Sequence, residues 1–115
     1  MSIPPISSSS GYYSSQDPIS NYVDQIYTAI GNSVSELASG QSHEQVCQNL
    51  LTSLTMGFAM IKAEGVPQGA LNQMKNFQDA AMQVFNDLNT NAPSMALDQD
   101  LQGLQMSYFA LKEVL

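Results

Sequence analysis

Leu97, Leu101, Leu104, Tyr108, Leu111 and Leu115 follow one another at steps of four and three through SMALDQDLQGLQMSYFALKEVL. That spacing places all six on one face of a single helix. An apolar seam of this kind needs another helix against it along its whole length, so helix-on-helix packing dominates whatever the chain folds into. The seam runs through to Leu115, and its six residues are the expected interface, with a second copy of the chain or with a helical partner protein.

Three further segments carry the same period. Asp17 reads as an N-cap and Pro18 as a first helical residue; Ile19, Tyr22, Val23, Ile26, Ile30, Val34 and Leu37 then recur at three and four, with Gly40 just past the end. Ser42 and Gln45 form a capping-box pattern before Val46, Cys47, Leu50, Leu51, Leu54, Phe58 and Ile61. Gly65 and Pro67 predict where that second helix stops. It is the most apolar of the set, which predicts a place at the centre of the bundle or at an interface. From about Gln68 to Asn89, Leu71, Met74, Phe77, Ala81, Val84, Phe85 and Leu88 mark a third helix, and NTNAP ends it before a fourth begins near Ser94. Short connections favour antiparallel neighbours. The expected fold is an all-α, up-down helical bundle of about four helices over residues 17–115.

Residues 1–16, MSIPPISSSSGYYSSQ, hold no charge, four consecutive serines and two adjacent prolines, which predicts a flexible Ser/Pro-rich N-terminal arm. This end has no basic n-region and no apolar h-region. Synthesis in the cytoplasm is expected, with any export by a route that needs no cleavable signal peptide.

Charge narrows the range of partners. Only 11% of residues are charged, and ten carboxylates against three lysines give a formal net charge of -7. The lysines are Lys62, Lys75 and Lys112, and no arginine is present. Bidentate phosphate recognition is therefore missing, and nucleic-acid backbones and anionic membranes are repelled. No apolar run approaches the roughly 20 residues of a membrane span. The lone Cys47 excludes an internal disulfide and, on an apolar helix face, reads as a small core residue.

No residue set points to a reaction, so the chain reads as non-enzymatic, with no catalytic, cofactor-binding or metal-binding residues. His43 and Cys47, four apart, share a helix face, but two ligands make a weak metal site, and His43 is expected to be a solvated first-turn residue. Asp98 and Asp100 are expected to serve the dipole at the start of the fourth helix. Met56, Met60, Met74, Met82 and Met106 are expected to fill an irregular core; the alternative is an adaptable apolar binding surface.

Two stretches resemble the small helical needle, inner-rod and filament subunits exported by bacterial type III secretion systems. They are Ser7 to Ser10 in the opening MSIPPISSSS, and Leu101, Leu104, Gln105, Tyr108, Leu111 and Leu115 in the closing DLQGLQMSYFALKEVL. The resemblance implies a secreted structural protein that polymerises through its last helix. A secretion chaperone or acidic adaptor that holds an amphipathic helix of another protein is the second reading.

Overall fold

The computed structural model describes residues 18–115; the arm at residues 1–16 and the Asp17 cap lie outside them. Four helices follow in order, α1 (Pro18–Ala38), α2 (His43–Glu64), α3 (Leu71–Asn89) and α4 (Ser94–Val114), with a 3-10 turn at Gln68–Ala70 leading into α3. No strand occurs among the described residues, and the fold is all-α.

The helix ends follow local chemistry. Past α1, Gly40 takes a φ of 89°, and the amides of Gly40 and Gln41 reach back to the carbonyls of Leu37 and Glu36. This pairing satisfies carbonyls that the helix end would otherwise strand. Asn91 does the same after α3 without a glycine: at φ 55° it lets its own amide and that of Ala92 reach Leu88 and Asp87. Asn tolerates this left-handed conformation better than most side chains. At the start of α2 the Ser42 hydroxyl accepts from the Gln45 amide, and Gly65 closes the far end.

α1 lies along α2 and α3 along α4, giving two hairpins. The hairpins meet chiefly through α2 with α3 and through α1 with α3; α1 and α4 touch only sparsely, and α2 and α4 do not touch. Two side-chain links mark the antiparallel order. His43 at the start of α2 meets Leu88 near the end of α3, and Lys112 near the end of α4 meets Asp24 near the start of α1. The inner pair is therefore α1 and α3. Of the two places anticipated for residues 43–64, the centre or an interface, the centre is not where α2 sits: it touches α1 and α3 but not α4, whereas α1 and α3 each contact every other helix.

The core follows from this arrangement. Ile26, Ile30, Leu50, Leu54, Phe77, Val84, Leu104 and Leu111 are completely enclosed, each contributing about 1.5–3 kcal/mol by leaving water. Gly57 brings α2 close to α1: a Cβ there would stand 2.6 Å from Ile26 Cγ1. No described helix is long and apolar enough to cross a membrane.

Candidate docking surface

The heptad residues of α4 find their partners within the chain. Leu104 and Leu111 are enclosed, while Leu97, Leu101, Tyr108 and Leu115 pack half-buried against the same core. α3 supplies most of the cover and α1 a smaller part. A second copy could reach Leu104 and Leu111 only by opening the bundle. Of the six seam residues, Leu97, Leu101, Tyr108 and Leu115 keep part of their surface exposed in the closed bundle. The seam borders open space at two places: Leu101 lines a groove of about 280 Å³ with Tyr27 and Gly31 of α1, and Leu97 lines another of about 280 Å³ with Val34, Leu37 and Leu88.

Tyr108 explains how α4 holds to α1 despite their sparse contact. Its hydroxyl donates to Asp24 Oδ1 at 2.6 Å, and its ring stacks on Tyr27 with centroids 4.1 Å apart. Lys112 Nζ donates to both Asp24 oxygens, at 2.9 and 3.1 Å, and to Ser20 Oγ. The Tyr108 phenol is pushed up to about 12, first by its hydrogen bond to Asp24, then by burial and by the Asp24 charge. Lys112–Asp24 is the one salt bridge among the described residues, so Lys62 and Lys75 enter no ion pair there.

Turning α4 by half a revolution reveals a second apolar face. Met95, Met106 and Phe109 are 74%, 72% and 56% exposed. At 100° per residue they share a face with the exposed Asp98 and Glu113, opposite the seam. α2 has its own outward set in Leu51, Met56 and Met60, whereas no large apolar side chain of α1 is exposed. Among the described methionines Met74 is buried, while Met56, Met60, Met82, Met95 and Met106 are exposed. The expectation that these methionines fill the core thus holds for Met74 and fails for the rest. A signal was present in the sequence: α2 and α4 carry apolar residues on more than one side, whereas α1 and α3 confine theirs to a single stripe.

Two grooves adjoin α2. One of about 270 Å³ lies against α1, with Tyr22, Met56 and Met60 in its walls. The other, of about 370 Å³, lies between α2 and α3 on a floor of Phe58, Ile61, Val66, Leu71 and Met74, and Lys62 and Lys75 line it as well.

The remaining candidates have structural roles in view. His43 is not solvated as expected. Its Nε2 sits 2.7 Å from the Leu88 carbonyl oxygen, which requires that nitrogen to carry a proton and donate it across to α3. Cys47 Sγ lies 3.8 Å from the same nitrogen. A nitrogen already donating its proton offers the thiol no base, and burial pushes the Cys47 thiol up from its ordinary value. No three His, Cys, Asp or Glu side chains come together as a metal site among the described residues.

Asp100 also departs from expectation. It sits beyond the first turn of α4, which holds no acid, and faces Asp87 of α3. Asp87 is buried, with Oδ2 lacking a hydrogen-bond partner. Its pKa is raised, first by the hydrogen bond to the Asp100 carboxyl, then by burial and by the Asp100 charge, with Gln83 opposing.

No family model, curated protein or solved structure matches this chain. The outward faces of α2 and α4 and the grooves beside α2 are thus characterised by their own geometry and chemistry.

Proposed function

We propose that this chain is a non-enzymatic assembly protein that associates through helix faces, with copies of itself as the partner. One observation carries the reading: of nine exposed large apolar side chains, seven lie on α2 and α4, the two helices at the outer edges of the bundle. Large apolar side chains held outside the core support an interaction role for these helices, and burying a Met or Phe contributes about 1.5–3 kcal/mol. An exported rod or filament subunit, made in the cytoplasm, is the form of assembly the sequence resemblance favours.

Light scattering coupled to size exclusion over a hundredfold concentration range, with electron microscopy of the same samples, tests the reading. Self-association predicts mass that grows with concentration, and it predicts that Met106→Ser with Phe109→Ser abolishes the growth while the helices remain. The two grooves beside α2 favour a second reading, an acidic adaptor that holds an amphipathic helix of another protein. That reading predicts a fixed monomer or dimer at every concentration.

A further inference from the structure

Two of the three cations in this acidic chain line the same apolar groove. Lys62 and Lys75 are exposed at the α2–α3 groove of about 370 Å³, above Phe58, Val66, Leu71 and Met74, and no carboxylate is among its lining residues. The third cation, Lys112, is held by Asp24. We propose that this groove docks the outward face of α4 from a second copy of the chain, head to tail. The inference rests on the self-association reading and names its two surfaces.

Charge selects the pairing. Each copy carries a formal -7, so two copies repel unless a local positive patch meets a local negative one. The groove supplies two lysines around an apolar floor, with the exposed carboxylates of Glu64 and Asp79 outside its lining. The outward face of α4 supplies the complement, an apolar centre of Met106 and Phe109 with Asp98 and Glu113 on the same face. Those two carboxylates are separated by about 22 Å along the helix at 1.5 Å per residue. Groove against groove would set lysines against lysines, and α4 against α4 would set acids against acids. Groove against α4 brings opposite charges together with apolar side chains on both sides. Lys62, Lys75, Met106 and Phe109 are all exposed in the same folded chain, so one copy can present both surfaces at once. A contact between two different surfaces leaves one of each unfilled, which yields a growing chain or a closed ring rather than a symmetric dimer.

Charge exchange in the full-length chain provides the test. Lys62→Glu with Lys75→Glu makes the groove acidic; Asp98→Lys with Glu113→Lys makes the α4 face basic. All four positions are exposed, and helix content by circular dichroism checks that each variant folds. Sedimentation velocity over a hundredfold concentration range is expected to show wild-type assembly, with each variant alone weakened about tenfold or more by like charges facing each other. Mixing the two variants in equal amounts is expected to restore assembly, since each acidic groove then meets a basic α4 face and each basic groove an acidic one. Should a charge reversal unfold the chain, Lys62→Gln with Lys75→Gln replaces it, and weakened assembly is again the expected result. Variants that assemble as the wild type does, or folded variants whose mixture does not recover, overturn this docking while leaving self-association in place. A wild-type chain that stays monomeric throughout overturns both.

Discussion

α1 and α3 differ from α2 and α4 in where their apolar side chains end up. The inner pair, in contact across the bundle, exposes two large apolar residues, Leu71 and Met82, both on α3. The outer pair, out of contact with each other, exposes seven. All four helices are about twenty residues long and follow the same period, so length does not separate them. What separates them is that α1 and α3 spend one stripe on the core and turn polar groups outward. α2 and α4 spend one stripe on the core and keep a second outside. A bundle that folds with one face of a helix leaves its other face free for association.

The largest test of that division compares two phenylalanines. Phe77 on α3 is wholly enclosed, between Phe58 and Tyr108, and Phe77→Ala is expected to cost about 3–5 kcal/mol in urea unfolding. Phe109→Ala, on the outer face of α4, is expected to change stability by about 0.5 kcal/mol or less. Comparable losses at the two positions would break the inner and outer distinction.

Gly57→Ala probes the joint between an inner helix and an outer one. The added Cβ meets the enclosed Ile26 side chain at 2.6 and 2.8 Å, so a loss of about 1–3 kcal/mol is expected. Ile26→Val removes the more distant of the two opposing atoms, Cδ1. The double variant should therefore lose less than the sum of the two single changes. Additive losses would show that α1 and α2 separate to admit the methyl group.

Tyr108→Phe weakens the α1–α4 link and is expected to cost about 1 kcal/mol. Titration gives this side chain a separate signature. With its folded pKa raised to about 12, its contribution is complete below the ordinary phenol value of about 10 and is lost as pH rises through about 12. Phenolate absorbance should lose its step near pH 12 in the variant; an unchanged step would assign that step to another tyrosine.

The smallest effect is expected at Asp87, where an inner helix meets α4 through facing carboxyl groups. A raised pKa means the folded state holds its proton more tightly than the unfolded chain does. The stabilisation is complete below the ordinary carboxyl value of about 4 and is lost as pH rises through the raised folded value. Asp87→Asn should therefore raise the urea midpoint at pH 7, and the gain should disappear toward pH 4. A gain independent of pH would mean that it does not come from the charge on Asp87.

Much of the fold was legible because the signals are local. Gly40, Ser42, Gln45 and Gly65 mark helix ends through hydrogen bonds that span a few residues, and the helix limits observed follow them. The heptad period of α4 placed Leu104 and Leu111 on one face, and both are buried. The period could not say which helix covers them, since α3 and a second copy satisfy the same spacing. His43 looked like a solvated residue because its partner, Leu88, lies 45 positions away. Asp100 looked like a dipole partner because Asp87 is on another helix. A tally of methionines does not record direction, whereas the apolar residues on more than one side of α2 and α4 do point outward.

By itself the sequence determined the number of helices, their ends, their apolar stripes and the scarcity of cations, all of which depend on residue identity and short-range spacing. The tertiary structure decided that the seam of α4 closes on its own chain and that α1 and α3 form the inner pair. It also decided that Tyr108 and Lys112 converge on Asp24, and that Lys62 and Lys75 line one groove. Those outcomes depend on which helices lie side by side, and that is set by complementary packing between residues far apart in the chain.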